Sequence, residues 1–309
     1  ADLIAILVFV LCVGAVPLMT QSGVWLNFAM MGLYACLLAQ AWNIVGGFGG
    51  QFSFGHALFF GTGAYAQAML QVHAGWNPWL ALPSAMLCSA AVGAVVGGLS
   101  FRYGLKGSYF ALVTLAFAEV FRIVALSVPF TGAGVGMMLP LRESWQNMQF
   151  ATRAGYVWLL LGMVTLALAV TAWLRASRFG AYLQAVRDNE DAARAVGVNP
   201  FDIKLRALAL SGAFMGGAGA LYVQIFQYID PGIAYGPHTS VEALVGAIVG
   251  GIIIGVSEKL AEIYIPPVLQ DTFGGNFGGI EGWFPYIFAL IFLLVRPEGL
   301  FGEKHIDRV

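Results

Sequence analysis

Residues 3 to 101 are 99 consecutive positions without a single Asp, Glu, Lys or Arg. No water-soluble fold tolerates such a run, because a buried core needs a polar shell around it. A bilayer supplies that shell from outside, so the run must cross one repeatedly. The rest of the chain agrees. Its 309 residues carry 15 Lys plus Arg and 16 Asp plus Glu, or 10% charge, where a soluble domain has about 25%. Hydrophobic residues make up 59% and mean hydropathy is +0.80. A soluble enzyme and a disordered tail are excluded. A net charge of −1 provides no field to attract nucleic acid. The expected fold is all-α: a polytopic integral membrane bundle of about 8–10 segments, some short or broken, forming a single domain over 1–309.

Catalytic chemistry finds no foothold. Four His and three scattered Cys form no metal or nucleophile constellation, so no catalytic residue, metal or cofactor is assigned. Cys12, Cys36 and Cys88 read as small apolar residues packed between helices. The 40 glycines are more telling, since glycine lets membrane helices approach closely and break. The N-terminal apolar run lacks a preceding basic region, so it reads as a first spanning helix and not a secretory signal. The missing initiator Met leads us to expect a longer natural chain.

A span needs about 20 mainly apolar residues. Candidates lie at 3–19, 24–45, 57–71, 79–101, 107–128, 155–174 and 206–226, followed by 240–264 and 283–296. The segment 175–206 stands apart, with 10 of the 31 charges in 32 residues. Lys- and Arg-rich loops face the cytoplasm. That rule places 175–206, the 102–106 turn and the C-terminal tail inside, with 129–154 outside. It also places both termini inside, provided that 240–264 is two short segments meeting near Gly250-Gly251. Those inside regions hold 11 of the 15 Lys and Arg. Each short segment has about 12 residues, too few to span about 30 Å of hydrocarbon. Either they are half-helices, as transporters often have, or about ten or more residues are missing between Gly250 and Ile252.

Within the charged loop, the run from Arg187 to Pro200 carries the marks of a short helix. Asp188, Glu190 and Asp191 sit where a helix N-terminus favours negative charge. Gly197 suits a left-handed C-terminal cap, and Pro200 follows shortly. Its thin apolar face of Val186 and alanines needs something to dock against. The chain contains no GxxxxGK[ST], so an ATP-driven process would need its nucleotide site in another subunit.

Asp191, Ala192 and Ala193, with Gly197 four positions on, resemble the EAAxxxG coupling signature of ABC importer permeases, with Asp in place of Glu. NIVGGFGGQFSFGH at 43–56, GSYFALVTLAFAEVFR at 107–122, and the stretch from SRFGAYLQAVRDNE at 177–190 to GAGALY at 217–222 are similar to LivM-type permeases of branched-chain amino-acid importers. The resemblance spans roughly residues 30 to 300. It implies a subunit of a bacterial inner-membrane importer for hydrophobic amino acids. Its partners would be a homologous second permease, two cytoplasmic ATPase subunits and a periplasmic binding protein. It further implies that Asp188, Glu190, Asp191, Ala192, Ala193, Arg194 and Gly197 couple the membrane domain to the ATPases. Relatives of this family include urea and short-amide permeases. A departure at 250–252 coincides with the place where the topology count fails.

Other polar residues fall inside apolar stretches. Glu119 and Arg122, three apart, can pair on one helix face. Charged groups within a span mark a functional site by default, although Arg122 has the alternative of snorkelling to the interface. Gln51, Ser53 and His56 form a polar cluster among glycines, and broken backbone is tolerated in a bilayer only beside protein or a cavity. These five are candidate pathway or interface residues. Gly216, Gly217 and Gly219 read as a close helix contact, and Trp76, Trp79, Trp145 and Trp158 as an outer aromatic belt. Hydropathy also leaves an ion-coupled secondary transporter open, with Glu242 as its coupling acid.

Overall fold

The computed structural model describes residues 2–20 and 22–249, and helix dominates them. The first helices are α1 (Asp2–Met19), α2 (Gly23–Asn43), α3 (His56–Val72), α4 (Pro78–Arg102), α5 (Gly107–Ser127) and α6 (Arg153–Ala176). After them come α7 (Arg178–Asp188), α8 (Glu190–Ala195), α9 (Pro200–Phe226), α10 (Pro231–Tyr235) and α11 (Pro237–Val249). Two short strands, β1 (Met137–Met138) and β2 (Tyr228–Ile229), pair antiparallel. Among the described residues, five helical stretches are long and apolar enough to cross a bilayer: Gly23–Phe48, Pro78–Arg102, Gly107–Ser127, Arg153–Ala176 and Pro200–Phe226. The chain is an all-α polytopic membrane bundle.

Local sequence sets the helix starts. Asn77 accepts a hydrogen bond from the Trp79 N–H at 2.9 Å, with Pro78 as the first helical residue of α4. Asn199 and Pro200 repeat the arrangement at α9, where the Asn199 side chain accepts from the Phe201 N–H. Both pairs join a side-chain acceptor to a residue with no N–H to orphan.

The loops sort to two ends of the bundle. At one end the His73 ring stacks on Phe130, Trp79 Nε1 donates to the Trp145 carbonyl, and Arg153 donates to the Gly23 carbonyl. Pairing of β1 with β2 adds the segment after α9 to the same end. At the other end, Lys106 pairs with Glu190 and Arg187 donates to the Gly47 carbonyl. This grouping is the one that charge and hydropathy required. Trp76, Trp145 and Trp158 are exposed around the first end, as a belt demands.

The centre is a close crossing of α3, α4 and α9. A methyl group added at Gly63 of α3 would strike the backbone of Gly216 on α9. Gly216 abuts Ser89 of α4, and Gly219 abuts the Phe60 carbonyl of α3. The GGAGA run is thus a packing device, since small residues are what bring membrane helices together. α2 and α9 are the most enclosed spans and α5 the least, with Leu112, Val120, Ile123 and Val124 exposed along it.

Several expectations need correction. Cys12 and Cys88 face outward instead of packing between helices, because their positions fall on the outer faces of α1 and α4. The span expected at 206–226 starts at Pro200. Asp202, Lys204 and Arg206 therefore belong to its first turns, where Asp202 and Arg206 pair four residues apart at 2.8 Å. The supposed junction between Gly250 and Ile252, the second half of 240–264, the span at 283–296 and the basic tail lie outside the described residues.

Candidate functional site

The charged loop is built from two helices where one was expected. Asn189 interrupts the run. Its backbone is extended, and its side chain accepts from the N–H groups of Asp191 and Ala192 at 3.1 and 3.0 Å. Asp188 therefore closes α7, where its carboxylate pairs with Arg187 at 3.0 Å, and does not open α8. The acidic pair at the start of α8 is Glu190 and Asp191.

The end of α8 is a Schellman motif. Val198 N–H donates to the Ala193 carbonyl and Gly197 N–H to the Arg194 carbonyl, both at 3.0 Å. Gly197 closes the turn at φ +89°, a region that favours glycine. Pro200 opens α9 three residues later, so α8 sits between two fixed corners.

A small apolar cluster holds the loop in place. Leu183 and Val186 of α7, Ala193 of α8, and Ile203 and Ala207 of α9 pack together, with Phe48 against them. Ala193 is buried while Asp191 points to solvent and pairs with Arg194 at 3.6 Å. A six-residue helix would not survive alone in water. Burial of Ala193 and the flanking corners stabilise it.

Glu190 ties this loop to two other elements. Its Oε2 lies 2.7 Å from Lys204 Nζ on α9 and 3.0 Å from Lys106 Nζ at the start of α5, and its Oε1 lies 3.4 Å from Arg194. Lys204 is only 4% exposed, so its ammonium depends on this carboxylate. Burial raises the Glu190 pKa, but hydrogen bonds from Lys204 and Lys106 outweigh it and hold the carboxyl below its ordinary value. A carboxyl lowered by folding stabilises the loop above its unfolded pKa and loses that contribution as pH falls through the folded value. The amide-exchange protection of α8, corrected for the intrinsic pH dependence of exchange, should therefore hold at neutral pH and fall as pH drops through the lowered Glu190 value. Glu190→Gln should abolish that acid step. Unchanged protection between pH 7 and 3 would show that the carboxylate does not hold the loop.

The second candidate cluster lies where α2 breaks. After Asn43 the chain forms a π-helical turn, Ile44–Phe48, then runs irregularly to His56. Such a break is a site of local strain and of function in many helices. Ser53 and His56 are fully buried and Gln51 nearly so. His56 Nε2 is 2.9 Å from Ser211 Oγ on α9, and Nδ1 is 3.2 Å from Ser53 Oγ. Ser211 spends its proton on the Ala41 carbonyl at 2.6 Å, so Nε2 must carry the imidazole proton. Ser53 Oγ also reaches Thr114 of α5 at 3.4 Å, and Ser240 of α11 accepts from the Ala57 N–H at 2.7 Å. One imidazole thus joins α9 to the break in α2, with α5 and α11 held at its rim. The break also touches the charged loop: Arg187 Nη1 donates to the Gly47 carbonyl at 3.2 Å, and Leu183 abuts Gly49.

Glu119 and Arg122 form the ion pair that their spacing allows. The guanidinium is bidentate, with Nε to Oε2 at 2.8 Å and Nη2 to Oε1 at 2.6 Å. Their side chains are 48% and 31% exposed, on the least enclosed of the spans. The two clusters sit on different faces: the Glu119–Arg122 pair looks away from the bundle, while His56 lies inside it.

Sequence reasoning missed Lys106 and Lys204 as the partners of Glu190, and Thr114, Ser211 and Ser240 as the polar rim of His56. Lys204 carries one signal: it is a cation in the early turns of a long apolar helix, where an unpaired charge is costly. Among the described residues, no group of three or more His, Cys, Asp or Glu is arranged to hold a metal ion.

Residues 24–275 match the family described as the permease component of branched-chain amino acid transport systems. The chain is 31% identical over 239 residues to the high-affinity branched-chain amino acid transport system permease protein LivM of Salmonella typhimurium strain LT2, covering 70% of this chain and 56% of that protein. It is 30% identical over 253 residues to the protein of the same name from Escherichia coli K12, covering 74% and 58%. The chain thus spans little more than half the length of the curated relatives it matches. No solved structure matches it significantly.

Proposed function

Because this chain belongs to the family of permease components of branched-chain amino acid transport systems, we propose that it is the membrane subunit of an ATP-driven importer. Its cargo on this reading is a branched-chain or similarly hydrophobic amino acid. A periplasmic binding protein delivers the cargo, a homologous second permease completes the channel, and two ATPase subunits supply the work. The setting is a bacterial inner membrane, with both termini and the 175–206 loop in the cytoplasm.

The observation that carries this reading is the construction of α8. It is a short charged helix outside the spans, fixed at both corners, and its Glu190 is tied to two spanning helices. A loop that only closes a topology needs none of these attachments. The exposed side of α8, with Asp191 and Arg194, is the surface offered to an ATPase. Closure of the ATPases would push α8 and rock the spans between outward and inward cavities. Gln51, Ser53 and His56, at the break in α2, are assigned to the moving part beside the path. Glu119 and Arg122 on the open face of α5 are assigned to the path or to the second permease.

Copurification tests the reading. The permease should hold an ATPase subunit through solubilisation and lose it when residues 187–197 are disrupted. Retention after disruption would place the docking surface elsewhere. Gly197→Pro should insert normally yet uncouple ATP hydrolysis from uptake. Proline removes the N–H that reaches Arg194 and cannot adopt φ +89°, so the corner between α8 and α9 must rearrange. Wild-type uptake by that variant would count against the docking role of α8.

A further inference from the structure

One oxygen of Glu190 serves two ammonium groups whose surroundings differ. Lys204, on α9, is buried and also lies over the Phe101 ring at 5.8 Å. Lys106 is 57% exposed and is the residue from which α5 starts. α8 itself packs on α7 and α9, whereas α5 packs on α3, α4 and α10. The Lys106–Glu190 bridge therefore joins the loop to a helix outside its own packing group. Next to it, Phe101 at the end of α4 stacks on Phe110 of α5, with ring centroids 5.0 Å apart. A pull on Lys106 is delivered to the first turns of α5.

The two bridges differ in how easily they part. Water and salt compete for an exposed ion pair, and they scarcely reach a buried one. When α8 is displaced, α9 follows through Lys204, and the Lys106 bridge either drags α5 or lets go. α5 is the least enclosed span and carries the Glu119–Arg122 pair.

We propose that Lys106 is a positioning residue of the transport cycle: its bridge to Glu190 is a releasable latch that makes α5 move with α8. This rests on α8 being the element that docks the ATPase, and it adds a residue and a direction of movement to that reading.

The test uses the permease in complex with its ATPase subunits, reconstituted into liposomes, with uptake and ATP hydrolysis measured together. Lys106→Gln should lower uptake per ATP hydrolysed by up to about fivefold, the upper end of what one exposed ion pair supplies. Lys106→Arg, which keeps the charge, should restore it. Spin labels at Tyr103 and Val196, both exposed, report the distance across the latch. In the parent protein that distance should change on ATP binding less than in Lys106→Gln, where α5 is no longer tied. Parental uptake per ATP together with parental distances in Lys106→Gln would overturn the latch alone. An ATPase that still copurifies after residues 187–197 are disrupted would overturn the docking reading and the latch with it.

Discussion

Glu190→Gln is expected to be the most damaging single change in the charged loop. The substitution keeps shape and removes charge, which leaves the Lys204 ammonium 4% exposed with no carboxylate beside it. Breaking one side of a buried ion pair costs about 3 kcal/mol or more, because the remaining charge stays desolvated. The loss should appear as faster proteolysis between α7 and α9 and as ATP-driven uptake reduced at least about tenfold. The double variant Glu190→Gln with Lys204→Met removes the stranded charge. It should regain most of the lost stability, since an apolar replacement of a buried pair is often neutral. Coupling should not return with it, because the attachment of α8 to the spans is gone. Recovery of both stability and uptake in the double variant would show that the pair holds the fold and transmits nothing.

Gly63→Val is the largest effect expected in the bundle. Its Cβ would meet the backbone of Gly216, and neither a helix backbone nor its neighbour Ser89 has room to retreat. Overpacking usually costs about 1–3 kcal/mol, and a clash between two backbones lies at or beyond the top of that range. Little folded protein should be recovered in detergent. Gly98→Val and Gly162→Val are the controls, since a Cβ at either position meets nothing within 4 Å. Equal yields from all three variants would contradict the crossing of α3 and α9.

Much of this architecture was legible in the residues because a bilayer leaves a chain few choices. The charge-free run over 3–101, the polar breaks and the distribution of Lys and Arg predicted spans that coincide with α1 to α6 to within a few residues. The loop was harder to read, for a local reason. In the run Arg187-Asp188-Asn189-Glu190-Asp191 any polar residue is able to cap a helix, and charge counting treated it as one N-terminus. Asn189 won because its short side chain accepts two backbone N–H groups, which ended α7 at Asp188 and made α8 a separate turn. The partners of Glu190 were hidden for a different reason. Lys106 and Lys204 lie 84 and 14 residues away, and no helical spacing connects them. His56 is intermediate: the glycine-flanked cluster marked a break, but its bond to Ser211 is 155 residues distant and emerges only when α3 and α9 cross.

The most direct test is uptake of radiolabelled leucine into liposomes holding this permease, its permease partner, the ATPase subunits and the binding protein. Uptake should require ATP and stop when either the ATPase or the binding protein is left out. Uptake that runs on an ion gradient without ATP, and that Glu242→Gln abolishes, would contradict the importer and establish a secondary transporter in its place.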